Sequence, residues 1–249
     1  MTFSDMGSDE SKEDDAKRTV EKLEEIVEKI KEAIGSISGY PETSVQRKRQ
    51  FWAYKLQMVF LEYKTRKYMP LPVYPNLQQV LRRCSSSVPY NRSRCLADVA
   101  EDCVNPFQTV KLNVKFAEEV IGEAFKAAME IEEKPNASKG LEEAWFRSKA
   151  LAYVCRVMKI VDFEKAKEVG LKVLKTVDEF ISEEEKTSGK QSMLYGRALV
   201  HAVEVVSKID AERALRIAEG IELGEERAEA LIYILESHIY SLIMMGTKV

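Results

Sequence analysis

Three features of this 249-residue chain predict an all-α fold. Apolar residues recur at helical spacing almost throughout. Only 11 Gly and 7 Pro interrupt the sequence. After residue 140 the sequence copies itself. The expected architecture is a set of antiparallel helical hairpins, stacked as a short right-handed α-solenoid or bundle, with an irregular Pro-containing middle segment. Hydrophobic residues make up 45% and charged residues 32%, enough to bury a core beneath a heavily charged surface.

Residues 1–12 are acidic and Ser-rich and read as a flexible tail. A helix is predicted over 14–37, with Val20, Leu23, Ile26, Val27, Ile30, Ala33, Ile34 and Ile37 on one stripe. Gly35, Gly39 and Pro41 end it. That stripe offers a seam for a homo-oligomer. It is also short of the three or four heptads a coiled coil sustains, which favours packing on its own domain. Residues 43–69 form a second helix, broken by Pro70, Pro72 and Pro75. Further helices are predicted over 77–84, 92–104 and 107–133, with a Ser-rich loop at 85–91 and a linker at 134–140. The helical N-terminal region is thus 13–106, and the hairpin repeat domain is 107–249.

The repeat has a register. Ala150-Leu151 is followed twelve residues later by Asp162, and Ala198-Leu199 by Asp210 at the same distance. Val157 matches Val205, Met158 matches Val206, Val161 matches Ile209, Val169 matches Ile217 and Val173 matches Ile221. Asp162 and Asp210 are placed to cap the second helix of each hairpin. Ala166 and Ala214 are small enough for close helix approach. A third start at Ala230-Leu231 has no second helix after it, so the helix at about 225–244 reads as a cap. Small Ala150 with Tyr153 three places on, and small Ala166 and Ala214 early in the second helix, resemble the tetratricopeptide-like class over roughly the last 110 residues. The first helix is about a turn longer than in that class, His201 stands where Tyr153 does, and the starts are 48 and then 32 residues apart. The resemblance implies a protein- or peptide-binding role; it carries over no peptide-binding residues.

The middle of the chain is polarised. The net charge is −3, yet residues 44–97 hold eleven basic side chains and one acid, Glu62. The basic residues are Arg47, Lys48, Arg49, Lys55, Lys64, Arg66, Lys67, Arg82, Arg83, Arg92 and Arg94. Eight aromatics are interleaved, Trp52 among them. Together Arg47, Lys48, Arg49, Trp52, Lys64, Arg66, Lys67, Arg82, Arg83, Arg92 and Arg94 form the candidate site for nucleic acid or another polyanion, because basic groups neutralise phosphates and exposed rings stack on bases. The competing expectation is that the rings are core and the cations pair inside the chain. It weighs more, because aromatics at helical spacing are usually buried.

No catalytic residues and no cofactor are predicted. His201 and His238 lack a nearby Cys or carboxylate partner at ligand or base spacing. Cys84, Cys95, Cys103 and Cys155 fit no compact zinc pattern, so no metal site is assigned; they read as free, mostly buried thiols. Gly35 to Gly39 lacks the Lys-Ser/Thr ending of a phosphate loop. No run approaches the ~18 apolar residues of a membrane helix. No secretory leader is visible, and a cytoplasmic location without membrane contact is expected. Scarce Asn and Gln with abundant Glu and Lys is a bias of heat-adapted proteins. The functional expectation is a non-enzymatic helical-repeat module that binds a protein or peptide partner. The alternative is nucleic-acid binding through 44–97.

Overall fold

The computed structural model describes residues 7–66, 76–104, 113–131, 145–188 and 193–244. Among these, every regular element is an α-helix, and there are ten. We number them α1 (Gly7–Gly35), α2 (Glu42–Arg66), α3 (Leu77–Arg83), α4 (Pro89–Val104), α5 (Val114–Met129), α6 (Phe146–Val161), α7 (Phe163–Ser188), α8 (Met193–Val206), α9 (Ala211–Glu219) and α10 (Gly224–Met244).

The helices pair as hairpins α4–α5, α6–α7 and α8–α9. The first members pack in order, α4 on α6, α6 on α8, α8 on α10, and form an inner layer. The second members form an outer layer, each also touching the next hairpin's inner helix: α5 on α6, α7 on α8, α9 on α10. This is the stacked arrangement that the repeat predicts, since a lone hairpin cannot bury both its faces. Ala150, Ala198 and Ala230 are all fully buried, as are Val157 and Val205. Asp162 Oδ1 accepts from the Lys165 N–H at 3.1 Å and Asp210 Oδ1 from the Arg213 N–H at 3.0 Å. Both hairpins therefore turn on the predicted caps.

The last hairpin is closed by the first helix. α1 packs along α10, so α10 has a partner after all, supplied from the opposite end of the chain. Lys22 pairs with Glu212 at 3.3 Å and Lys29 with Glu219 at 2.6 Å. The seven-residue step on both sides shows that α1 runs parallel to its outer-layer neighbour α9, hence antiparallel to α10. The apolar stripe of α1 explains the fit. Leu23, Ile26, Ile30, Ala33, Ile34 and Ile37 are all buried. Val20 and Val27, on the same stripe, are partly buried. Packing also crosses the expected 106/107 boundary, because α4 and α5 lie on either side of it. α1 starts at Gly7, so 7–12 of the expected tail are helical; 1–6 lie outside the described residues. The prolines at 70, 72 and 75, and the linker at 134–140, lie outside them too.

α2 lies across α1 and α10 at one end of the stack. Gly39, at φ 87°, makes the turn that leads into it, a backbone shape that suits glycine. At the other end, α3 is fastened to α4 by a disulfide between Cys84 and Cys95. This corrects the expectation of four free thiols. The pair lies eleven positions apart in sequence, but the Ser85–Val88 loop folds α3 back so that the two Cα atoms are 5.5 Å apart, within bridging range. Cys103 and Cys155 are free, and Cys155 is buried as expected. α3 otherwise buries only Val80. Reduction should therefore raise amide exchange over 77–83 by roughly tenfold and leave α6 to α10 unchanged. Equal exchange with and without reductant would count against the bond as the fastener.

Candidate interaction surface

The basic segment divides into two groups. Arg47, Lys48, Arg49 and Trp52 sit on α2, against α1 and α10. Arg82 and Arg83 end α3 and Arg92 and Arg94 lie on α4, against α5 and α6. The side chains of Lys64 and Arg66, and the whole of Lys67, lie outside the described residues.

Several of these cations are engaged inside the fold. Arg49 Nη2 donates to the carbonyls of Gly35 at 2.5 Å and Ile37 at 3.0 Å. Those carbonyls lie at the C-terminal end of α1, where a cation is favoured. Lys48 pairs with Glu225 at 2.5 Å and stands over the Tyr40 ring. Glu225 and Tyr40 keep its ammonium above the usual lysine range, the hydrogen bond it donates to Glu225 contributing most. Trp52 is buried and its Nε1 donates to Glu225 at 3.3 Å. Arg92 pairs with Glu130. Arg94 stands over the Tyr153 ring at 5.1 Å. Arg82 and Arg83 are exposed, with Arg83 at the rim of a surface cavity of about 340 Å³ that Arg94, Asp98 and Asp102 also line. The segment therefore does not gather into one basic groove among the described residues. Trp52, the ring singled out for stacking, belongs to the core.

What α2 does expose is an apolar stripe. Trp52, Leu56 and Val59 share the side that faces the fold. Phe51, Tyr54, Met58 and Leu61 fall roughly 140° around the helix, spaced by three and four residues. Phe51 is 51%, Tyr54 57% and Leu61 52% exposed. Arg47 continues the stripe by one turn. Lys55 borders it and stands over the Phe51 ring at 5.7 Å. Gln50 and Gln57 border the other edge and are exposed. The remaining exposed large apolar residues, such as Phe163, Leu171 and Met193, do not continue this line.

Compared with family models, curated proteins and solved structures, the chain matches none of them. The surface has to be interpreted from its own chemistry.

A second constellation lines the inner layer, and the sequence reading did not find it. On α6 it is Lys149, Tyr153 and Arg156. On α8 and the turn after it, it is Arg197, His201, Glu204 and Lys208. On α10 it is Glu229, Tyr233, Glu236 and Tyr240. The spacing is i, i+4 and i+7 each time, extended to i+11 by Lys208 and Tyr240, in the same repeat register as Ala150, Ala198 and Ala230. The match of His201 to Tyr153 in the repeat register was the available signal. Each inner junction carries one ion pair: Glu101–Arg156 at 2.5 Å, Lys149–Glu204 at 2.8 Å and Arg197–Glu229 at 2.6 Å. Arg156 lies over Tyr240 at 3.9 Å and Tyr153 at 5.3 Å, and Lys208 over Tyr153 at 4.7 Å. Such cation–ring contacts are attractive, most of all when desolvated.

The electrostatics follow from the packing. Burial alone would raise the Glu204 carboxyl, but His201, Lys208 and Lys149 together draw it down to about 2. Burial pulls the Lys208 ammonium down to about 8 against the opposing pull of Glu204. Burial lifts the Tyr153 phenol to about 12. His201 Nδ1 is 3.7 Å from Glu204, beyond hydrogen-bond reach. Burial lifts the Cys103 thiol to about 11 and raises Cys155 as well, so neither is a thiolate nucleophile at neutral pH. Among the described residues, no group of three or more His, Cys, Asp or Glu gathers in a way that suits a metal ion. No described helix is long and apolar enough to cross a membrane. The inner cluster ties neighbouring hairpins to one another through its own groups. Among the described residues, the outer face of α2 carries exposed apolar side chains at Phe51, Tyr54 and Leu61.

Proposed function

We propose that this protein is a non-enzymatic helical-repeat interaction module of the tetratricopeptide-like kind, and that it binds a protein partner on the outer face of α2. The observation that carries the reading is the apolar stripe Phe51, Tyr54, Met58 and Leu61 at one end of the stack. A solenoid that ends in water is expected to present a polar outer face there. Two half-exposed rings and an exposed leucine in line at such an end mark a surface made to be covered. Nucleic-acid binding is the weaker reading, since Trp52 is core and Lys48, Arg49 and Arg92 are occupied within the chain. A cytoplasmic location belongs to the same proposal. The Cys84–Cys95 bond fits it in a heat-adapted cell, where intracellular disulfides are common.

A photo-crosslinking amino acid placed at Tyr54, in cells making the full chain, should give one discrete higher-mass adduct. The same group at Leu171, exposed on α7, should give none. No adduct at 54, or the same smear from both positions, rules the reading out.

A further inference from the structure

We infer that the partner is an amphipathic α-helix of about four turns with acidic flanks, laid along α2. This inference rests on the proposal that the outer face of α2 is a binding surface, and it names what that surface takes. The apolar positions 51, 54, 58 and 61, with Arg47 one turn before, alternate steps of four and three residues. That is the seam along which two helices pack at a shallow angle, knobs of one between residues of the other. From 47 to 61 the seam runs about 21 Å at 1.5 Å per residue, the length of a four-turn helix.

Charge selects the kind of helix. Arg47 and Lys55 are exposed along the seam, and among the described residues neither has a carboxylate within ion-pair distance. Between Thr43 and Leu61 the chain holds Arg47, Lys48, Arg49 and Lys55 and no Asp or Glu. In parallel register the α2 of a second copy would set Arg47 against Arg47 and Lys55 against Lys55. A helix with Glu or Asp beside its own apolar seam meets Arg47 and Lys55 with opposite charge. Gln50 and Gln57 on the other edge accept either sign. A polyanion such as single-stranded nucleic acid also meets Arg47 and Lys55, but it leaves Met58 and Leu61 uncovered.

The test uses the full chain and two synthetic 21-residue peptides. Both have Leu at three-four spacing; one is flanked by Glu and the other by Lys. A scrambled Glu peptide of the same composition is the control. Fluorescence anisotropy at physiological salt should show saturable binding of the Glu-flanked peptide. The Lys-flanked and scrambled peptides should bind at least tenfold more weakly. The double substitution Arg47→Glu and Lys55→Glu should reverse the preference between the two flanked peptides. Phe51→Ser with Tyr54→Ser should lose both, while the helical circular dichroism and the melting temperature stay at wild-type values. Equal binding of all three peptides overturns the inference. So does concentration-dependent dimerisation in sedimentation that Phe51→Ser with Tyr54→Ser abolishes, which would make a second copy the occupant and leave the α2 surface standing. Salt-sensitive binding of oligo-dT that depends on Arg47 and Lys55, with no peptide bound, overturns it in favour of nucleic acid. If Phe51→Ser with Tyr54→Ser changes neither peptide binding, self-association nor the crosslink at 54, the α2 surface itself is refuted.

Discussion

Glu204→Gln should cost about 3 kcal/mol of unfolding free energy at pH 7, because it takes the counter-charge from Lys149 and leaves Lys208 with Glu236 alone. Glu204 joins two neighbouring hairpins. It pairs with Lys149 of the preceding hairpin at 2.8 Å and holds up the charge of Lys208 in the turn after its own helix. Its neighbours Tyr153 and Tyr233 offer ring faces and no acid. Urea unfolding of both proteins measures the effect, and a loss under about 0.5 kcal/mol would show that the cluster is solvated and weakly coupled. The pH dependence gives an independent check. The folded carboxyl sits at about 2 against 4.5 for an unperturbed one. The folded state therefore gives up this proton more readily than the unfolded state. Its stabilisation is fully present above about pH 4.5 and drains away as the pH falls toward 2. In Glu204→Gln that part of the acid limb should be missing. Lys208 works with the opposite slope: its folded value of about 8 lies below the unperturbed 10.5, so its contribution grows as the pH rises through that interval. Without Glu204, Lys208 should titrate lower still.

Gly224→Val should cost about 3 kcal/mol, near the upper end for overpacking a filled site, and should loosen α1 before any other helix. A Cβ at 224 would lie 2.5 Å from Ser36 Oγ, 2.9 Å from the Ala33 carbonyl oxygen and 2.9 Å from the Ile37 nitrogen. Two of these are backbone atoms of the α1 terminus, which cannot rotate aside. The first turn of α10 would have to lift away from α1. Glu225, the next residue, would take its contacts with Lys48 and Trp52 along, so α2 would lose its seat too. Amide exchange should rise in α1 and α2 more than in α6 and α7. Unchanged stability in Gly224→Val would mean that α1 is not held in this place.

The helices and the hairpin register were legible because both are periodic. The stripe of α1, the caps Asp162 and Asp210 and the alanines at 150, 198 and 230 announce themselves within a window of a few turns. The partner of α10 was not legible. Lys29 and Glu219 are 190 residues apart, and no spacing in the chain connects them; the register only left a vacancy after Ala230. The bond between Cys84 and Cys95 was hidden for a related reason, since it depends on the loop that folds α3 back, not on the number of residues between them. Of the basic segment, composition revealed the charge but could not assign the rings. Trp52 and Phe51 are adjacent in sequence, and the 100° turn of a helix between neighbours puts one in the core and the other in water. The polar rows of the inner layer follow the same register: Tyr153, His201 and Tyr233 each stand three places after a repeat alanine.

The meeting of α1 with α10 sets a schedule for synthesis. The ribosome makes α1 well before its partner, with about 190 residues between. At ~5–20 residues per second the stripe from Leu23 to Ile37 waits roughly ten to forty seconds for α10 to emerge. During that time the middle hairpins can stack as they appear, each on the one before. α1 must wait as a greasy amphipathic helix in search of cover, the part of the nascent chain most in need of a chaperone.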